Sequence, residues 1–196
     1  MVALVIDVEV IEDPATAAVA LDPIRARLLA ELAEPASAAT LAAKVGLPRQ
    51  KVGYHLRALE ARGLVELAEV RTWGGITERL LRATAASYVI SASALGDSGA
   101  DPARTADRLS AGHLVALAAR LVREVGSLSR RAEAAGKRLP TFTLDTEVGF
   151  ASAEDRAAFA DELTAAVVEL AARYHHDDGR MHRLVIAAHP RPEETL

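Results

Sequence analysis

Between Pro48 and Gly63 a helical wheel puts Val52, Leu56, Leu59 and Gly63 on one side and Gln50, Gly53, Tyr54 and Arg57 on the other. A helix with that division must bury its aliphatic underside and turn its polar, cationic face outward. It runs directly into residues 64–70, which read as a strand. A glycine-bearing turn over residues 71–75 and a returning strand over 76–82 follow. The chain carries a net charge of -4, yet residues 49–82 hold seven Lys or Arg against four Asp or Glu, a local +3. A cationic face next to acidic flanks suits contact with a polyanion, because only the local charge touches phosphate.

The segments before this helix carry their own start and stop signals. Residues 4–11 alternate, with Leu4, Ile6, Val8 and Val10 on one side, and read as a strand. Asp13-Pro14 and Asp22-Pro23 each set a capping acid before a proline, and Ile24, Leu28, Leu29 and Leu32 give the second helix its apolar stripe. Glu34-Pro35 ends it. Ser37 caps a third helix with Leu41, Ala42 and Val45 inward, Gly46 closes that helix, and Pro48 opens the next. Short helices joined by a tight Gly-Leu-Pro turn form a helix-turn-helix, whose last helix fits a major groove about 12 Å wide. Gly53 in mid-helix costs about 1 kcal/mol relative to alanine, a cost tolerated where a helix must approach DNA closely.

The run Val52-Gly53-Tyr54-His55-Leu56-Arg57-Ala58-Leu59-Glu60-Ala61-Arg62-Gly63-Leu64-Val65, with Glu78-Arg79-Leu80-Leu81-Arg82-Ala83-Thr84, resembles the recognition helix and returning wing strand of ArsR-like winged helix-turn-helix transcription regulators. The likeness covers roughly residues 13–90. It implies a homodimer on a double-stranded, pseudo-palindromic DNA operator, usually a repressor released by a ligand. By this resemblance Gln50, Lys51, Tyr54 and Arg57 approach bases and phosphates, and His55 lies at the helix flank, structural or phosphate-facing; Arg49 and Gly53 on the same helix and Arg71, Trp73 and Arg79 on the hairpin are the further DNA-binding candidates. Acids Glu66, Glu69 and Glu78 lie near the wing arginines, so some of these pair internally while others face phosphate. Trp73 at the tip either meets the backbone of the duplex or folds onto the base of the wing. The metal-sensing members of the family are not matched: the chain has no cysteine, and its long helix holds the lone histidine His113.

Residues 96–102, Gly-Asp-Ser-Gly-Ala-Asp-Pro, read as a linker, and a long helix is expected from about 103 to 138. Along it Leu114, Leu117, Leu121, Val125 and Leu128 recur at threes and fours, the spacing of one buried seam, which fits a dimer interface or, alternatively, burial against its own domain. Phe142, Leu144, Val148 and Phe150 then alternate with polar residues as a strand. Ser152 and Asp155 resemble a helix-capping box, and Phe159, Leu163, Val167, Leu170 and Tyr174 form the inward face of the helix they start. Residues 184–188 read as a closing strand. Phe142, Phe150 and Phe159 are the candidate lining of an effector pocket for a small organic molecule, weighed against plain core packing.

Other chemistry finds less support. His175-His176-Asp177-Asp178 with His182 is the one metal-like cluster, set in a Gly179-containing segment where polar residues also gather because the backbone is wet. No phosphate-cradling glycine loop, nucleophile elbow or His-Glu-x-x-His stands in the sequence, so no catalytic residue or cofactor is assigned. Asp7, Glu9, Glu12 and Asp13 near the start argue against a signal peptide, and no apolar run approaches the roughly 18 residues a span needs. The expectation is a cytoplasmic, mainly helical α+β protein without a membrane partner. It comprises an N-terminal strand (1–13), a winged helix-turn-helix domain (14–95), a linker (96–102) and a dimerisation or effector domain (103–196) holding the long helix and a small strand-helix-strand unit. A metal-responsive regulator using His175–His182 and a winged-helix protein-protein module are the alternatives.

Overall fold

The helix starts are made as the sequence writes them. In the computed structural model, which describes residues 6–73, 75–107 and 110–192, Asp13 caps α1 (Pro14–Ala20) by accepting from the Thr16 amide at 2.8 Å. Asp22 caps α2 (Pro23–Glu31) through the amides of Ile24 and Arg25, both at 3.0 Å. Ser37 caps α3 (Ala38–Val45), and Gly46, at φ 70°, ends it in the left-handed conformation that glycine adopts without steric cost. Leu4, Gly74, Arg108, Leu109 and the side chain of Trp73 lie outside the described residues.

Helix α4 (Arg49–Glu60) packs on α2 and α3 through Val52, Leu56 and Leu59, which join Leu28, Leu32 and Leu41 in one core. Gly63 departs from expectation: it lies past the end of α4, exposed, with φ 68°. Its role is to turn the chain, and the Leu64 amide reaches back to the Leu59 carbonyl at 3.0 Å.

The hairpin is longer than expected. β3 (Val65–Trp73) and β4 (Ile76–Ala83) pair antiparallel out to Trp73 opposite Ile76, with a bulge between Leu67 and Glu69. A two-residue strand, β2 (Ala36–Ser37), adds to the other edge of β4. Sequence reading missed it, because two residues carry no alternation. It also missed β5 (Ala85–Ile90), which pairs parallel with β1 (Ile6–Ile11) across some eighty positions of sequence.

Residues 96–102, expected as a linker, carry local structure. They fall within and between two short 3-10 segments, Ala92–Ser98 and Pro102–Arg104, where the Arg104 guanidinium donates to the Gly99 carbonyl at 2.6 Å. The long helix, α5, starts at Ala111 rather than near 103 and ends at Ala134. It lies against β1: Arg130 donates to the Val10 carbonyl at 2.7 Å, forms an ion pair with Glu12 and stands 3.6 Å from Glu9. Burial raises the Glu9 carboxyl above its ordinary value, with Arg130 opposing the shift. The chain accordingly divides into compact units at 139/140, not at 96–102.

Among its described residues the second unit, Pro140–Leu196, holds one helix, α6 (Ala153–Tyr174), capped by Ser152 as expected. The overall class, helices with small sheets, is as expected. The strands expected at 142–150 and 184–188 are not formed, and the described residues on either side of α6 carry no regular structure. Alternation alone does not make a strand; a ladder partner and a covered face are required. The α6 stripe also differs from expectation: Leu163 and Val167 are half-buried, while Phe159, Leu170 and Tyr174 are exposed.

Candidate nucleic-acid interface

With the underside of α4 fixed by Val52, Leu56 and Leu59, the helix has one direction left for its polar residues. Arg49, Gln50, Lys51 and Arg57 are exposed, and Tyr54 is 59% exposed. Gly53 stands among them, half-buried, and a Cβ added there would meet nothing within 4 Å. The fold itself therefore has no steric need for glycine at this position. Arg57 lies back along the helix, its Nε donating to the Gly53 carbonyl at 3.2 Å.

His55 is not part of this surface. It is 6% exposed, and neither ring nitrogen has a hydrogen-bond partner among the described residues. The signal was present in the sequence: at 100° per residue His55 falls about 40° from Leu59, on the apolar side. Its ring meets the Tyr54 ring edge-on, with centroids 5.4 Å apart, so it supports an exposed neighbour from below.

Charge on the hairpin is mostly neutralised within the protein. Arg71 makes a two-point pair with Glu69 at 2.8 and 2.9 Å, which lowers the Glu69 carboxyl pKa and raises that of Arg71. Arg82 donates twice to Glu66, at 2.6 and 2.8 Å. Arg79 donates to Glu60, across the groove between α4 and β4, at 2.6 Å. Arg62 stands 3.6 Å from Asp13. Among the described residues, Arg49, Lys51 and Arg57 have no carboxylate partner, and all three lie on α4. Sequence reading missed Glu60 as the partner of Arg79, because the acids it weighed were those on the hairpin itself.

The other expected groups are placed differently. On α5, Leu121 is 42% and Val125 37% exposed, while Leu114, Leu117 and Leu128 are half-buried, so the seam runs along a partly open face. The side of α5 that meets β1 instead holds Gly126 and Arg130. Phe150 and Phe159 touch, with centroids 5.3 Å apart, while Phe142 is 86% exposed. His175 lies 3.4 Å from Asp177, and His182 donates from Nδ1 to the Arg180 carbonyl at 2.7 Å. Among the described residues no three His, Asp or Glu side chains converge as a metal site, His175, His176 and His182 included. No described helix is long and apolar enough to cross a membrane.

A family model described as a helix-turn-helix domain matches residues 20–68, from the end of α1 through α4 into β3. Among curated proteins none matches the chain. The matched region holds the open cationic face of α4, and the domain is one of a DNA-binding transcription regulator.

Proposed function

We propose that this regulator is a winged helix-turn-helix repressor of the ArsR-like kind, acting as a homodimer on a pseudo-palindromic operator and released by a small-molecule effector. The observation that carries the reading is that Arg49, Lys51 and Arg57 stand together on the exposed face of α4, around Gly53, with no carboxylate partner among the described residues. Gln50, Tyr54 and Arg57 are suited to reach base edges, while Arg49 and Lys51 fix the register on phosphate. The β3–β4 hairpin then stands where a wing flanks the duplex.

Pairing through α5 is supported by its open seam, Leu121 and Val125 above all. Two recognition helices related by a dyad would lie about 34 Å apart, one turn of duplex. An effector releases DNA only if it favours a dimer geometry that breaks that spacing. A contact path for such a change exists. α5 grips β1 at Val10, β1 pairs with β5, and Tyr88 of β5 donates to the Leu64 carbonyl just past α4 at 2.8 Å.

Selection from a random duplex pool, followed by sedimentation of the complex, tests the reading. Enrichment of an inverted repeat with half-sites about 10 bp apart, bound by two copies, is the result expected. A pool that shows no enrichment, or one copy per site, would contradict it.

A further inference from the structure

Arg79 on β4 and Glu60 in the last turn of α4 are joined across the groove: Nη2 donates to Oε1 at 2.6 Å and Nη1 approaches Oε2 at 3.5 Å. The groove is lined by Gly53, Leu56, Arg57, Thr77 and Glu78. The pair remains accessible, with side chains 51% and 32% exposed, so a partner seated on α4 can reach it. We infer that Glu60 is a specificity-determining residue: it withholds the Arg79 charge from a loosely bound duplex and yields it to a phosphate only when α4 is fully seated. This rests on the reading of α4 as the DNA-recognition helix.

The argument is one of competing partners. Loose, sequence-independent binding is driven by cations that neutralise phosphates, and each one adds to the affinity for every duplex alike. A carboxylate holding a guanidinium at two points removes that contribution, and its own charge repels a passing phosphate. Glu66 and Glu69 do the same for Arg82 and Arg71, but both of those pairs lie within the hairpin. Glu60 differs because it belongs to the recognition helix, so it enters the groove of the duplex with the residues that read bases. A phosphate that lodges between α4 and β4 can replace Glu60 on Arg79; a phosphate that only grazes the outer face of α4 cannot. Discrimination is gained at some expense of affinity, since the wrong duplex meets a repulsive element that the right one displaces.

The test uses the full chain, a duplex selected by the wild type from a random pool, and a scrambled duplex of the same composition. Binding of wild type, Glu60→Gln, Arg79→Gln and the double variant is measured against salt. Exposed ion pairs add little to folding, so these variants keep their structure, which circular dichroism checks. Glu60→Gln should tighten binding to the scrambled duplex by about three- to tenfold near 100 mM salt and steepen its log K against log salt slope by about 0.9, one phosphate. On the selected duplex the slope should stay as it is and the gain should be smaller, because there Arg79 already meets phosphate. In the Arg79→Gln background the slope effect should vanish. Equal slopes for wild type and Glu60→Gln on both duplexes would overturn the inference, and so would a slope change that persists without Arg79. A wild type that binds neither duplex would instead remove the DNA-reading premise, a different failure that the same titrations tell apart.

Discussion

A Cβ placed on Gly126 of α5 would lie 2.5 Å from both Cβ and Cγ2 of Val10 in β1, closer than real side-chain carbons approach. This glycine lets the long helix settle onto the strand, and Arg130 four residues on completes the contact through the Val10 carbonyl and Glu12. Alanine in place of glycine within a helix gains about 1 kcal/mol by propensity alone. Here overlap with the strand should outweigh it. Gly126→Ala is expected to lower unfolding stability by about 1 to 3 kcal/mol in denaturant titrations. A gain in stability would show that α5 does not approach β1 this closely.

Gly53 should behave in the opposite way. A side chain there meets nothing in the protein. Gly53→Ala should therefore stabilise the fold by about 0.5 to 1 kcal/mol. If duplex backbone approaches this point, the same variant should bind the selected duplex more weakly. Greater stability with unchanged binding would place the duplex elsewhere on α4.

Arg57 is exposed on α4 and free of carboxylates among the described residues. Replacing it with alanine should cost about 1 to 3 kcal/mol of discrimination between selected and scrambled duplexes if it reads a base. Equal losses on the two duplexes would assign it to phosphate.

Asp22 supplies a test by pH. Its carboxyl is held below the ordinary value of 3.8, first by the Arg25 amide hydrogen bond, with burial opposing and the Arg25 charge and Ile24 amide assisting. A depressed folded-state pKa stabilises the fold at pH above 3.8, and that contribution is lost as pH falls through the folded value. Asp22→Ala should cost about 1 kcal/mol at neutral pH, a difference that shrinks in acid, while Asp22→Asn, which still caps, should cost less. Denaturant titrations at several pH values check both. Glu9 has the reverse sign: burial raises its carboxyl above 4.5, so its contribution is largest below that pH and is lost as pH rises through the folded value.

Features written in a few adjacent residues were legible in the sequence. Asp22-Pro23, Ser37 and Gly46 mark helix ends by chemistry that acts within one turn, and the α4 wheel separates Leu59 from Arg57 without help from the rest of the chain. What depends on distant partners was not. The β1–β5 pairing, the Glu60–Arg79 bridge and the seat of α5 on Val10 join residues that no local pattern connects. Residues 142–150 show the converse, a strand-like alternation without a ladder partner. His55 was legible as buried by its angle on the wheel, whereas the family resemblance left it at the helix flank, structural or phosphate-facing.

The central claim is that the unpaired cations of α4 meet duplex phosphates, and the salt dependence of Lys51→Ala tests it most directly. The wild type should lose affinity linearly in log salt, and removal of Lys51 should reduce the slope by about 0.9 with the fold intact. Affinity that does not respond to salt, or an identical slope in the variant, would contradict the account.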